Sequence, residues 1–297
     1  MYFDTCFFDD SVILAEAVLK ADFGTFITLH LISNQLREDT LEPAPQQWFE
    51  TWFDTPLYET LYAHRDYAEA RQLAALISQS FPPAQFPELV DIACGRGRHS
   101  FNLATLGYKV TGVDLSKNAI EKARRIASEK YADLSPDFYT HDMRQPLGRI
   151  WPLAVNLFTS FGYLADDAAN TGVLRNMGDA VGPGGALVLD YLNAAYVRSS
   201  LVPEEVCDIS NYQLRIRRSI DEQEGVVRKE MAFKHTQTGQ LQTFTEQVKL
   251  YPLSWFEAAF AKVGMHITEV YGTYTGEKIQ KQSDAHPRLI MMAQKDA

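Results

Sequence analysis

Residues 88–116 read ELVDIACGRGRHSFNLATLGYKVTGVDLS, and this stretch decides the fold class. Two short apolar runs, 88–93 and 108–114, flank a glycine-containing turn and a helical pattern that stops at Gly107. Glycine is common just after the last residue of a helix. A strand, a glycine turn, a helix and a second strand in this order predict a β-α-β unit, and hence a parallel sheet.

The same alternation continues toward the C-terminus. Three more apolar runs predict strands at 137–142, 152–160 and 186–192, with helical patterns between the strands. The turn Gly182-Pro183-Gly184-Gly185 stops the last of these helices. The fold class predicted is therefore α/β, with a Rossmann-like sheet that contains five parallel strands.

The segments around this sheet have different patterns. Residues 197–251 alternate apolar and polar positions between short turns, which predicts an antiparallel β insert that forms a lid. Two closing strands, 266–272 and 287–294, can pair as a hairpin and complete a seven-stranded sheet. Residues 46–84 carry aromatic and leucine side chains at helical spacing, which predicts a helical cover with a hinge near Asp66.

We predict one domain over residues 46–297, preceded by an extension over residues 1–45. Two interpretations of the extension stay open: a helix that packs on the domain or on a partner, or an unproductive extension of the reading frame. The acidic residues near the start do not resemble a signal peptide, and acidic and basic residues interrupt the apolar stretch 12–32. No membrane span is predicted.

The composition limits the classes of function that the chain can have. The chain has 297 residues, a formal net charge of −10 and a sequence pI near 5.2. This charge argues against an electrostatic grip on nucleic acid and favours a small-molecule partner. The three cysteines include no CxxC pair and no histidine partner at ligand spacing, so no metal site is predicted. These features suit a cytoplasmic protein.

A nucleoside-containing cofactor is predicted by the loop after the first strand. Gly95 and Gly97 let the backbone approach a ligand closely. Asp114 ends the next strand about 17 residues later, near the distance at which a carboxylate reaches ribose hydroxyls. A dinucleotide site prefers a third glycine where this loop has Ser100, which weakens an NAD interpretation without excluding it.

The pattern Asp91-x-Ala93-x-Gly95-x-Gly97 resembles the D/E-x-G-x-G-x-G loop of class I S-adenosylmethionine-dependent methyltransferases, with Ala93 in place of the first glycine. The resemblance continues through VTGVDLS, HDMR, NLFTSFGY and DYLN and covers residues 48–295. It is greatest to the bacterial small-molecule type that carries CGRGRHS and FTSFGY. The first 40 or so residues lie outside it.

The resemblance implies how the cofactor is bound. Gly95 and Gly97 border its methionyl part, Asp114 binds the ribose, Leu115 packs on the adenine, and Asp142 accepts from the adenine amino group. The candidate cofactor-binding residues are Tyr62, Arg65, Asp91, Ala93, Gly95, Gly97, Asp114, Leu115, Asp142, Met143 and Leu157.

The resemblance also implies that the N-terminal helical segment closes over the cofactor, because LYETLYAHRDYAEA matches the YxxLYxHRDxxEA pattern of this group. The ends of strands four and five lie at the edge where open α/β sheets bind ligands, which predicts an acceptor pocket there. Tyr58, Ser160, Phe161 and Asn193 are the candidates for the acceptor pocket. If the acceptor must lose a proton, the candidates for a general base are His64, Tyr163 and Tyr191.

The function implied is methyl transfer from S-adenosylmethionine, by in-line displacement, to a small molecule whose nucleophilic atom is nitrogen, oxygen or carbon. The product of the donor is then S-adenosylhomocysteine. Two alternatives stay open, namely an NAD-dependent oxidoreductase and a non-catalytic protein that binds the methyl donor. A monomer and a homodimer are equally compatible with the sequence.

Overall fold

The computed structural model describes residues 47–62, 67–279 and 283–296. The extension predicted over 1–45 and the hinge predicted near Asp66 lie outside these residues. The domain boundaries therefore stay predictions.

The described elements alternate as the sequence indicates. The helices are α1 (Trp48–Trp52), α2 (Pro56–Leu61), α3 (Tyr67–Ser80), α4 (Arg98–Thr105), α5 (Lys117–Lys130), α6 (Asp167–Asp179), α7 (Ala194–Ser200) and α8 (Leu253–Lys262). The strands are β1 (Glu88–Ile92), β2 (Lys109–Asp114), β3 (Asp137–Thr140), β4 (Trp151–Asn156), β5 (Val181–Leu192), β6 (Glu204–Ile209), β7 (Tyr212–Asp221), β8 (Val226–His235), β9 (Leu241–Lys249), β10 (Met265–Tyr271) and β11 (Arg288–Lys295).

The main sheet has seven strands in the order β10-β11-β5-β4-β1-β2-β3. The strands from β5 to β3 are parallel, whereas β11 runs antiparallel to both β5 and β10. This confirms the predicted five parallel strands and closing hairpin. The strand order reverses between β1 and β4, and open α/β sheets bind ligands at the carboxyl ends of the strands at such a point.

Buried apolar side chains cover both faces of this sheet. One core cluster contains Val90, Leu187 and Met291, and a second contains Leu89, Val188 and Ile290. Neighbouring residues of one strand thus point into different cores, because successive side chains of a strand alternate between its two faces. The rigid sheet holds the loops at its carboxyl edge in place.

The predicted insert is a four-stranded antiparallel sheet in the order β6-β7-β8-β9, which we call the lid sheet. Its buried face, with Leu214 and Phe233, packs on Trp52 and Leu61 of the cover. Within the described part of the predicted helical segment 46–84, the apolar side chains that pack on the lid sheet belong to residues 47–62, and we call this part the cover. The prediction of two helices joined near Asp66 missed a further break, because Thr55 accepts a hydrogen bond from the Tyr58 amide at 3.1 Å and so caps a new helix that begins with a proline.

Two other details differ from the sequence-based prediction. Strand β5 begins at Val181 rather than 186, so the Gly-Pro-Gly-Gly turn lies within its irregular first part. Helix α7 was not predicted, and the side chain of Asn193 caps its start by accepting from the Ala195 amide at 3.1 Å. In the part of the chain that the structure describes, every helix is too short or too polar to cross a membrane.

Candidate functional site

A cleft of about 1550 Å³ lies along the carboxyl ends of β1, β2 and β4. The cover and the lid sheet form its opposite wall. A smaller, open depression of about 430 Å³ lies beside α5 and β3 and shares none of the predicted site residues. The large cleft is therefore the candidate site.

The loop after β1 is shaped by backbone conformations that suit glycine. Gly95 and Gly97 have φ of 57° and 81°, and Ala93 adopts 59° without being glycine. A Cβ atom on Gly97 would lie 2.8 Å from the Phe138 ring, so a larger residue there is excluded by packing as well. A Cβ on Gly95 would meet nothing within 4 Å, because this residue faces the open cleft.

Asp114, the last residue of β2, lines the cleft. Its two carboxylate oxygens accept from the amides of Gly95 and Ser116, each at 2.8 Å. Burial raises the pKa of Asp114, and these two amide hydrogen bonds act in the opposite direction. The side chain is thus fixed in orientation, and its remaining lone pairs are available to hydroxyl groups of a ligand.

Asp142 lines the next part of the cleft, together with Leu115 and Met143. It accepts from the Arg144 amide at 2.9 Å and from Arg144 Nε at 2.9 and 2.8 Å. Burial raises the pKa of Asp142, but the bonds from Arg144 outweigh it and leave the pKa below its usual value. Arg144 also donates to Glu50 of the cover at 3.0 Å, so this carboxylate is linked to the cover.

Asp91 is placed differently from the prediction. It is 2% exposed, does not line the cleft, and accepts from the Ser100 hydroxyl at 2.5 Å below the loop. Its position corrects the expected direct contact with a cofactor, since it supports the loop from inside. The pKa of Asp91 is raised to about 7, mainly by burial. The hydrogen bond from Ser100 acts to lower this pKa, and the charge of Asp114 acts to raise it.

Asp91 should make the stability of the protein depend on pH. The pKa of about 7 lies above the ordinary value of 3.8, so the folded state binds the proton more tightly than the unfolded state. We expect the free energy of unfolding to fall as pH rises from 3.8 to about 7. Asp91→Asn should remove this component, as measured by urea unfolding across that range. Equal pH dependence in both proteins would contradict the assignment.

The cover and the lid sheet meet at a carboxylate that the sequence analysis missed. Glu246 of β9 accepts from Trp52 Nε1 at 2.6 Å and from the Tyr62 hydroxyl at 2.9 Å. Lys229 of β8 lies 3.7 Å from Glu246 and donates to the Tyr62 hydroxyl at 2.9 Å. No motif indicated these contacts, because residues from three separate segments form them.

Aromatic rings form a chamber between the cover and the loop after β4. Tyr163 packs against Trp48, Phe49 and Phe53 with ring centroids 5.0, 5.9 and 5.7 Å apart. Tyr58 packs on Phe53 at 5.1 Å. Burial, together with the charge of Glu246, raises the pKa of Tyr58 to about 12. Such a chamber can hold an apolar or cationic group out of water.

Tyr163 does not have the properties expected of a general base. Burial raises its pKa well above the usual value, and the charges of Tyr58 and Glu246 act in the same direction. Its phenol is therefore neutral near pH 7. Ser160 and Leu157 line the cleft beside it.

Three other predicted residues lie elsewhere. Tyr191 is fully buried and its hydroxyl donates to the Lys249 carbonyl, which corrects its candidacy as a base. Phe161 is also fully buried, and Asn193 is 1% exposed and donates to the carbonyls of Ser283 and His286. None of the three lines the cleft. The prediction placed them there because the sequence alone does not show whether a residue after a strand points outward or inward.

Two predicted residues, His64 and Arg65, lie outside the described residues. Their roles as base and cofactor ligand stay predictions. The described residues contain no cluster of histidine, cysteine or acidic side chains that could hold a metal ion.

A buried carboxylate supports the loop after β4. Asp190 accepts from Arg288 Nε and Nη2 at 2.9 and 2.7 Å, and from the Phe158 amide and the Tyr274 hydroxyl at 2.8 Å. Phe158 and Thr159 have φ of 60° and 58°, a conformation that costs energy in residues other than glycine. The bonds to Asp190 hold this bend against the cleft.

The strand order, the glycine loop and the acidic residues at the ends of β2 and β3 define the fold of the class I S-adenosylmethionine-dependent methyltransferases. A family model described as a methyltransferase domain matches residues 88–250, and the chain belongs to this family. The class predicted from the sequence is thereby confirmed.

Relatives with printed functions are similar to parts of the chain. A dTDP-3-amino-3,6-dideoxy-alpha-D-glucopyranose N,N-dimethyltransferase from Streptomyces fradiae is 35% identical over 130 residues, covering 42% of this chain and 47% of that protein. A dTDP-3-amino-3,4,6-trideoxy-alpha-D-glucopyranose N,N-dimethyltransferase from Streptomyces venezuelae is 26% identical over 231 residues, covering 74% of this chain and 93% of that protein. The chain thus spans about half the length of the first relative and most of the second.

A solved structure confirms the fold. The S-adenosylmethionine-dependent methyltransferase from Clostridium acetobutylicum superposes with a TM-score of 0.67 at 17% identity, and the match covers 81% of this chain and 97% of that one. At this identity the likeness concerns the fold alone.

Proposed function

We propose that the protein transfers a methyl group from S-adenosylmethionine to a nitrogen atom of a small-molecule acceptor. The observation that carries the proposal is the continuity of the cleft. Its wall with Asp114 and Asp142 opens directly into the aromatic chamber that contains Tyr58 and Tyr163. A donor on that wall would therefore present its reactive end to the chamber.

The residues of the cleft fit the donor. Gly95 leaves open space beside the loop, and Asp114 is held so that it can accept from two ribose hydroxyls. Leu115 and Met143 offer apolar surface to the adenine. Asp142 offers a hydrogen-bond acceptor to the amino group of the adenine. When bound, S-adenosylmethionine supplies a methyl group made electrophilic by the positive sulfur.

The chain contributes mainly position and exclusion of water. The aromatic chamber would position the acceptor nitrogen and exclude bulk water, while bound S-adenosylmethionine would supply the methyl group. An uncharged acceptor nitrogen would use its lone pair for the new bond to carbon, and the electron pair of the broken carbon–sulfur bond would stay on the sulfur of the donor. A neutral amine does not have to lose a proton before the transfer, and the methylated product can lose one after its release to solvent, so neither Tyr58 nor Tyr163 has to act as a base.

Nitrogen is favoured over oxygen or carbon by the relatives, since both sugar-modifying relatives are N,N-dimethyltransferases by name. Aromatic faces also suit the positive charge that an amine nitrogen carries once it has been methylated. The net charge of −10 supports a small acceptor over a nucleic acid. A cytoplasmic location is part of the proposal, and monomer and homodimer remain equally compatible with it.

Calorimetric titration with S-adenosylmethionine, S-adenosylhomocysteine and NAD in parallel tests the cofactor. We expect micromolar binding of the first two and none of NAD. The loaded protein is then incubated with a panel of amino sugars, amino acids and simple amines, with transfer of a labelled methyl group as the readout. Binding of NAD alone would overturn the proposal, and donor binding without transfer to any nitrogen, oxygen or carbon acceptor would favour a non-catalytic role.

A further inference from the structure

One end of the cleft contains polar nitrogen atoms that the mechanism above does not use. Arg98 is the first residue of α4, and its Nη1 atom is buried without a hydrogen-bond partner among the described residues. The carboxylate of Glu69 lies 3.7 Å from it, beyond hydrogen-bond distance. Its guanidinium lies 4.9 Å from the centre of the Phe158 ring, within the cleft lining.

His99 is the second such residue. It is 8% exposed, lines the cleft, and its Nε2 atom is likewise buried without a partner in the described parts of the chain. Its ring lies 6.4 Å from that of Phe158, so it shares this wall with Arg98. Burial and the charges of Arg98 and Arg288 keep the pKa of His99 well below its usual value, which leaves a neutral ring that can donate one hydrogen bond.

Arg288 is close enough to His99 for its charge to affect the imidazole. Its Nε and Nη2 atoms are fixed by Asp190, and its side chain, 18% exposed, lines the same cleft. The guanidinium groups of Arg98 and Arg288 thus both act electrostatically on the neutral His99 ring. The carboxylate facing Arg288 is Asp190, and the one facing Arg98 is Glu69. The backbone N–H groups in the first turn of α4 add positive potential at the same place.

We infer that Arg98, His99 and Arg288 form a subsite for a carboxylate group. Buried donors without a hydrogen-bond acceptor are rare in folded proteins, and an anionic ligand with two oxygens offers acceptors to both nitrogens. The inference rests on the proposed function, because the carboxylate belongs either to the aminoacyl end of the methyl donor or to the acceptor. Both sources share the same chemistry.

The first arm of the test compares two ligands of the donor site by calorimetry. S-adenosylhomocysteine carries the carboxylate, whereas its decarboxylated analogue keeps every other group. If the donor occupies the subsite, Arg98→Met should weaken S-adenosylhomocysteine about tenfold or more and leave the analogue within about twofold. His99→Phe, which keeps the ring against Phe158, should act in the same direction.

The second arm concerns the acceptor. If Arg98→Met leaves both donor ligands unchanged, the wild-type complex with S-adenosylhomocysteine is titrated with acetate and with acetamide. A subsite for the acceptor should bind acetate, fail to bind acetamide, and lose acetate binding in Arg98→Met. Arg149→Met is the matched control, because Arg149 pairs with Glu88 at 2.5 Å on the surface, away from the cleft.

The inference would be overturned if Arg98→Met left the affinity ratio of the two donor ligands unchanged and no acetate binding depended on Arg98. Failure of the proposed function is distinguishable, since wild-type protein would then bind neither S-adenosylhomocysteine nor its decarboxylated analogue. Thermal unfolding of each variant without ligand shows whether the fold is retained.

Discussion

Replacing Asp114 by alanine should weaken binding of S-adenosylmethionine by about 1–3 kcal/mol, or about 5–150-fold in dissociation constant. The carboxylate lies on the cleft wall at the end of β2, where it is held by the amides of Gly95 and Ser116. Its removal leaves ribose hydroxyls without a charged acceptor and frees two amides that shape the loop. Calorimetric titration of the folded variant measures the effect.

Asp137→Ala is the matched control, because Asp137 is an exposed carboxylate at the start of β3 and does not line the cleft. Its affinity for the donor should equal that of the wild type. An unchanged affinity in a folded Asp114→Ala variant would remove Asp114 from the cofactor site. Asp114→Asn separates the two contributions, since it keeps the shape of the side chain and removes the charge.

Asp190→Ala should destabilise the folded protein by about 3–5 kcal/mol, the usual cost of removing one partner of a buried ion pair. Asp190 is 0% exposed and accepts four hydrogen bonds, two of them from Arg288. The variant leaves a largely buried guanidinium, the Phe158 amide and the Tyr274 hydroxyl without their acceptor. The bend at Phe158 and Thr159 loses its support at the same time.

Urea unfolding of the wild type and the variant measures this loss through the midpoint and slope of the transition. The double variant Asp190→Leu with Arg288→Met should recover part of the stability, because no unpaired charge stays buried. Arg149→Met provides the surface comparison and should change the unfolding free energy by less than about 1 kcal/mol. A similarly small change in Asp190→Ala would show that the buried pair contributes little.

Much of the fold could be predicted because its signals are local. The apolar run before Gly95 and the helix stop at Gly107 each depend on a few neighbouring residues. The period-two alternation in the lid sheet likewise predicts one buried face. The break at Pro56 was missed, although proline at the first position of a helix is itself a local signal.

The candidate site was predictable only in part. Asp114 and Asp142 line the cleft because each follows the carboxyl end of a parallel strand, a position that the sequence reveals. Glu246 gave no such signal, since its partners Trp52 and Tyr62 are almost two hundred residues away in the chain. Contacts of this kind depend on how the lid sheet packs on the cover.

By itself the sequence determined the succession of strands and helices along the chain, the position of the glycine loop after the first strand and the class of the protein. Periodicity and glycine positions act within a few residues, so they are independent of the final packing. Only the tertiary structure decided which side chains face the cleft and which lie beneath it. Asp91 and Asp114 illustrate this, because both are carboxylates beside the same loop, yet one is buried against Ser100 and the other meets the ligand space.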